Sequence, residues 1–270
     1  MHTIATNVSW CQLRITPEIS RLLERLRELR RTSPPTIVDE AARFRAARGV
    51  GASENLAADP SISDEELAAR CYALRGVPWS EAKARRDMRE RMRIWRYLEE
   101  GCARVPSSID DMLALWNEAS RGEVAIYRES ETAQLRRSIP FAYEQIPFEY
   151  VAPAPGKQTV APNEVEHETR NLIELIQSDG IEPELRAAVS LFALYYIHPF
   201  RDGNGRLGRL LTCAMLADRY SSSTLLALVE NMQAERTRVS STINEIVRTQ
   251  GDIGPFVTLI LELIVRAIEE

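Results

Sequence analysis

A histidine followed by proline, an acid four residues further on, a Gly-Asn-Gly turn and two arginines three apart make up the segment His198-Pro-Phe-Arg-Asp-Gly-Asn-Gly-Arg-Leu-Gly-Arg209. Each residue type suits one task at a phosphorus centre. Imidazole takes a proton near neutral pH, and His198 is one of only three histidines in the chain. Gly203, Asn204 and Gly205 open a helix, where backbone N–H groups without helical acceptors and the positive end of the helix dipole both favour an anion. Arg206 and Arg209 are neighbours on that helix and add two guanidiniums, which suits a di- or triphosphate better than one phosphate. Asp202, at the lip of the turn, is a hard oxygen ligand placed where Mg²⁺ on a nucleotide phosphate would lie.

The neighbouring sequence says how these groups are held. Ala187 to Ile197 is apolar at every position but Ser190, too long for an ordinary strand, and reads as a buried helix. Pro199 disfavours the helical backbone in the residue before it, so that helix stops at His198. Asp202 to Gly205 is a tight turn, and from Arg206 the apolar positions Leu207, Leu210, Leu211 and Ala214 recur at helical spacing, with Arg206 and Arg209 off that stripe. A purely structural account, with a proline stop, an aspartate cap, turning glycines and solvated arginines, covers each residue singly. It has no need of the histidine, of the asparagine between the glycines, or of the arginine spacing.

The segment resembles the signature of the Fic family, His-Pro-Phe-x-Asp/Glu-Gly-Asn-Gly-Arg-x-x-Arg, with every fixed position filled. The resemblance implies an all-α fold: a Fic-type helical bundle with a short β-hairpin flap, here with a helical N-terminal extension. It implies transfer of AMP from Mg-ATP to a Ser, Thr or Tyr hydroxyl of a target protein. His198 would be the general base, Asp202 would hold Mg²⁺, and Gly203, Asn204 and Gly205 would form the anion hole. Arg206 and Arg209 would grip the nucleotide, and Phe200 would anchor the loop in the core. The flap would be the pair of strand-like pieces within about 137–151, before Ala152-Pro-Ala-Pro155, and the target protein would dock along it as an added strand.

In many relatives a helix carrying Ser/Thr-x-x-x-Glu-Gly/Asn sets its glutamate on the second arginine of the motif and blocks ATP. Glu54-Asn55 matches the end of that pattern with Val50 in place of Ser or Thr, and Thr36 to Glu40 matches its beginning with Ala41 following. Glu54 and Asn55 are the inhibitory candidates, with Glu40 behind them. Otherwise the enzyme would be constitutively active or restrained by a separate inhibitory protein. Within the same fold, transfer of phosphate, another nucleotide or phosphocholine is the nearest alternative. A catalytically idle nucleotide-binding adapter is the alternative of another class.

The whole chain is compatible with this. At 270 residues with 44% hydrophobic and 27% charged residues, it is an ordinary globular sequence. A net charge of −5 argues against a nucleic-acid-coating protein. Cys11, Cys71, Cys102 and Cys213 show no metal or disulfide spacing, and no apolar run reaches membrane-spanning length, so a cytoplasmic protein is expected, with export as an effector left open.

Helix signals run from Thr16-Pro17 to about Arg31, over 37–48 and 63–74, and from Ser80 to Glu100. In the last of these, Met88, Met92, Trp95 and Leu98 form a core stripe. Its many arginines alternate with acids, Glu90 among them, and read as a solvated, salt-bridged surface. Pro106-Ser107-Ser108 marks the expected boundary between an N-terminal extension (1–105), a candidate regulatory region, and the catalytic domain (106–270). Beyond it, helices are expected from Ile109, after an Asn163 cap, from Pro183, after the motif, from Ser223 and Arg236, and from Ile253 to Ile268.

Overall fold

The computed structural model describes residues 3–4, 13–32, 90–91, 93–95, 97–98, 104–120, 160, 164–200, 203–249 and 251–269. In chain order these hold β1 (Thr3–Ile4), β2 (Leu13–Arg14), α1 (Pro17–Thr32), α2 (Ile109–Ser120), α3 (Val165–Gln177), α4 (Pro183–Ile197), α5 (Asn204–Leu216), α6 (Ser222–Ala234), α7 (Arg236–Thr249) and α8 (Gly254–Glu269). Residues 90–91, 93–95 and 97–98 are helical as well. The expected all-α fold is the one observed, apart from a two-residue antiparallel pairing of β1 with β2, Thr3 opposite Arg14. The expected flap at 137–151, the helices at 37–48 and 63–74, and Asn163 lie outside the described residues. Among the described residues no helix is long and apolar enough to cross a membrane.

Short polar side chains start α1, α2 and α6. Thr16 Oγ1 accepts the Ile19 N–H at 3.2 Å, with Pro17 in the first helical position. Ser108 Oγ accepts the Asp111 N–H at 3.1 Å while the Asp111 carboxylate takes the Ser107 N–H and hydroxyl at 2.9 and 2.7 Å. Ser221 opens α6 in the same way, accepting from Thr224 N at 3.2 Å. Asp252 serves two elements: its Oδ1 accepts the Gly254 N–H at 2.8 Å, and both its oxygens lie 3.2 Å from the Arg14 N–H, which ties β2 to the start of α8.

α4 is the axis of the bundle. From Ala187 to Leu194 every side chain is buried, as a helix apolar all round must be. α3, α5 and α8 pack against it, α2 covers α5, and α1 lies on α8. Phe192 meets Phe256 of α8 edge-on with ring centroids 5.4 Å apart. α5 is not the amphipathic helix that its leucine stripe suggests: Leu207, Leu210, Leu211, Cys213, Met215 and Leu216 are all buried, because α2, α4 and α6 surround it.

One hydrophobic core runs from Ile19 of α1 through Ile94 to Ala267 of α8, so the core crosses residue 105 without a break. Arg30 of α1 adds an ion pair to Glu184 in the first turn of α4, 2.8 Å long. Three residues of the segment read as solvated, Glu90, Arg91 and Arg93, correct the sequence reading. Glu90, Arg91 and Arg93 are 5%, 5% and 9% exposed, so they belong to a buried polar seam rather than to a solvated face. Alternating charge predicts exposure only when no partner helix offers counter-charges, and here α5 and α6 do.

Candidate active site

The motif is assembled where α4 hands over to α5. His198 N–H still closes the last helical bond, to Leu194 O at 2.9 Å, but its backbone turns left-handed at φ 50°, ψ 58°. Pro199 rules out continuing the right-handed helix, and the chain leaves α4 through the left-handed region rather than the extended one. For a residue with a Cβ that conformation costs about 1–2 kcal/mol. His198 is half-buried and is the sole non-glycine residue with positive φ among the described residues.

Two buried side chains hold the loop that follows. Phe200, 1% exposed, stacks on Trp116 of α2 with centroids 5.4 Å apart. Asn204, 2% exposed, clamps the Phe200 backbone from both sides: its Oδ1 accepts the Phe200 N–H at 3.1 Å and its Nδ2 donates to the Phe200 carbonyl at 2.8 Å. The asparagine between the glycines is thus explained by loop shape. Its side chain is taken up by Phe200, and what it can offer an anion is its backbone N–H.

Gly203 precedes α5 in a left-handed conformation, φ 85°, which glycine adopts without a Cβ penalty. The first helical bond of α5 runs from Leu207 N to Gly203 O at 2.8 Å. The N–H groups of Asn204, Gly205 and Arg206 precede it, in the turn where a helix supplies no acceptor and its dipole is positive. Asp202 lies outside the described residues.

The two arginines differ in setting. Arg206 is half-buried. Arg209, with 14% of its side chain exposed, is engaged on one edge by Glu90: Nε to Oε1 at 2.6 Å and Nη2 to Oε2 at 3.0 Å. Gln233 Nε2 of α6 donates to the same Oε2 at 3.0 Å. Burial pushes the Glu90 carboxyl up, but the Arg209 charge, the hydrogen bonds from Arg209 and Gln233 and the Arg206 charge together hold it below its ordinary value. Across the guanidinium, Nη1 and Nη2 lie 3.7 and 3.9 Å from where a Cβ on Gly205 would stand. Arg209 is thus wedged between a buried carboxylate and the glycine of the loop.

Sequence reading placed His198, Phe200, Gly203, Asn204, Gly205, Arg206 and Arg209 together, and the structure brings them into one handover between two helices. It missed Trp116, Glu90, Gln233 and Gly208. Gly208 does have a visible signal, a glycine inside a helical pattern. A Cβ there would stand 2.7 Å from Leu191 Cδ1 and 2.8 Å from Tyr195 Cε1, so this glycine is what lets α5 cross α4 closely. Glu54, Asn55 and Glu40 lie outside the described residues. Among the described residues the carboxylate bonded to Arg209 is Glu90, which has Arg86 four residues before it and Arg91 after it and so does not fit the inhibitory pattern.

Residues 108–216 match the Fic/DOC family model. Two curated proteins named Protein adenylyltransferase Fic are similar over 113 residues, 42% of this chain: that of Drosophila mojavensis at 29% identity and that of Drosophila grimshawi at 30%. Those stretches are 20% and 21% of the two relatives, so the chain spans about a fifth of their length. Among solved structures, a Fic family protein from Desulfovibrio desulfuricans G20 superposes with a TM-score of 0.61 at 19% identity, over 95% of this chain and 74% of that one. Fic-1 from C. elegans gives 0.57 at 21% identity, over 93% and 70%. At such identities the superpositions establish the fold. The chain has a Fic-type helical fold, and its residues 108–216 match the Fic/DOC family model.

Proposed function

We propose that the protein is a Fic-type transferase that moves AMP from Mg-ATP to a Ser, Thr or Tyr hydroxyl of a target protein. The observation that carries this reading is the α4–α5 handover, where a base in a strained backbone conformation and a glycine-rich helix start are fixed at the two ends of one clamped loop. The name shared by the two Drosophila relatives supports the choice of adenylyl as the transferred group.

In this reaction the hydroxyl oxygen bonds to the α-phosphorus, its proton passes to the His198 imidazole, and the bond to the bridging β-oxygen breaks to release pyrophosphate. The N–H groups at the start of α5 would face the phosphate oxygens, Arg206 and Arg209 would balance their charge, and Asp202 would hold the Mg²⁺ that accompanies ATP. These are contributions of positioning and charge rather than covalent chemistry, and each acts where charge redistributes in the transition state. Trp116 and Asn204 fix Phe200, two residues after His198, against the start of α5.

The test is intact mass measurement after incubation with ATP and Mg²⁺, on the purified protein alone and on proteins of a cell lysate, beside the His198→Ala variant. An added AMP mass that the variant fails to produce is the expected result. An added phosphate mass would assign the protein to phosphate transfer instead. No addition to any protein by wild type would overturn the reading.

A further inference from the structure

We propose that Glu90, seated by Gln233, is a positioning residue for Arg209, fixing the guanidinium so that it serves the motif loop. The inference rests on the reading above, in which Arg209 holds nucleotide phosphate. It concerns two residues on either side of the family-matched stretch 108–216, which lies between them in sequence.

Three observations carry it. The first is geometric. A guanidinium offers two edges for a bidentate contact, and Glu90 takes the one formed by Nε and Nη2. The edge formed by Nη1 and Nη2 is the one turned toward Gly205. Glu90 thus holds a long side chain with its outer edge at the start of α5, where ordering in advance lowers the entropic cost of binding.

The second is anchorage. Glu90 is bonded on both oxygens, is 5% exposed, and sits on a stretch fixed by more than itself. Ile94 lies in the core at 2% exposure, and Arg91, next to Glu90, pairs with Glu230 of α6 at 2.8 Å. Withdrawing Glu90 from Arg209 would break that seam, so the carboxylate is built to stay while a ligand comes and goes.

The third is charge. The carboxylate remains ionised despite its burial because Arg209 and Arg206 both face it. It therefore gives the cationic edge of the site a fixed counter-charge before any phosphate arrives. Among the described residues, the groups that bear on the Glu90–Arg209 pair are Gln233 of α6 and, on α5, Arg206 and the buried Cys213 thiol.

The experiment is calorimetric titration of Mg-ATP into the full chain, comparing wild type with Glu90→Gln, Glu90→Asp, Gln233→Leu and Arg209→Ala. A charge-assisted bidentate contact corresponds to roughly ten- to a hundredfold in an equilibrium constant. Glu90→Gln is expected to weaken ATP binding by about tenfold, approaching the effect of Arg209→Ala. Glu90→Asp keeps the charge and recovers part of the loss, and Gln233→Leu costs about threefold. A role in folding alone would lower the binding-competent fraction and leave the Kd of that fraction unchanged. An unchanged Kd in Glu90→Gln therefore overturns the proposal. So does tighter binding or faster transfer by that variant, which would make Glu90 an obstruction. Absence of ATP binding by wild type would be seen before any variant is compared, and would remove the functional reading and the proposal together.

Discussion

Two buried carboxylates, Glu90 and Glu184, sit in different regions of the molecule, and they are bonded differently. Glu90, 5% exposed, has both oxygens in use, one toward Arg209 alone and the other toward Arg209 and Gln233. Glu184, 0% exposed, takes Arg30 of α1 at 2.8 Å and the Tyr220 hydroxyl at 2.5 Å on one oxygen. Its Oε2 has no hydrogen-bond partner among the described residues. Glu184 lies in the first turn of α4 and His198 caps the other end, about 21 Å away at 1.5 Å per residue.

The partners decide what each acid is for. Arg30 comes from an outer helix and Tyr220 from the turn after α5, so Glu184 pins the framework together. Arg209 has its other edge at the motif loop, so Glu90 acts on the site. Burial and an arginine partner are common to both, and neither feature alone marks a functional residue.

The strongest way to break that distinction is Glu184→Ala. Removing one partner of a buried pair costs about 3–5 kcal/mol in general. Arg30 keeps 21% of its side chain exposed and retains Glu182 at 3.5 Å, so the low end of that range, about 3 kcal/mol, is expected in urea unfolding. The ATP Kd should not change. An increase matching that of Glu90→Gln would show that both acids serve the site through general rigidity.

Tyr220→Phe is a milder form of the same test. It removes one hydrogen bond to a charged acceptor and leaves Arg30 on Glu184, which corresponds to about 1.5 kcal/mol of stability. Thermal unfolding should register the loss while transfer activity is kept. A fall in activity beyond the fall in folded fraction would count against a purely structural role.

What was legible in the sequence divides along the same line. The buried α4 could be read because eleven consecutive residues, Ala187 to Ile197, carry almost nothing polar, and its end could be read from Pro199. The caps at Thr16 and Ser108 follow from side chains acting on their own next turn, and the structure places both hydrogen bonds. The core role of Trp116 and the polar seam at Glu90 could not be read this way. Glu90 meets Arg209 across 119 residues and Gln233 across 143, and its own neighbours in sequence are arginines that fit a solvated helix equally well. The inhibitory pattern points to Glu54, which lies outside the described residues, and it gives no signal for Glu90. Asn204 could be read as part of the anion-binding turn, but its side-chain bonds to Phe200 could not, because they depend on the turn geometry that the bonds themselves create.

The smallest effects are expected at the two ends of the pH scale. Burial, the largest single influence on Glu90, favours its neutral form, but the surrounding cations and donors win, and its folded pKa lies below the ordinary 4.5. A lowered carboxylate pKa contributes stability that is complete above the unfolded value and is lost as pH falls toward the folded one. The gap in unfolding free energy between wild type and Glu90→Gln should therefore be widest near neutrality and narrow below about pH 4.5. Tyr220 behaves in the opposite sense. Burial, then the charge and hydrogen bond of Glu184, raise its hydroxyl above the ordinary 10, so its contribution is complete below that value and is lost as pH rises beyond it. The gap between wild type and Tyr220→Phe should accordingly hold from neutrality to about pH 10 and close only in strong alkali. Urea unfolding of both variants across pH measures the two profiles. If both gaps closed together in strong alkali, where the Glu90 contribution should be complete, Tyr220 and Glu90 would be reporting one shared loss of structure, and the separation of site from framework would fail.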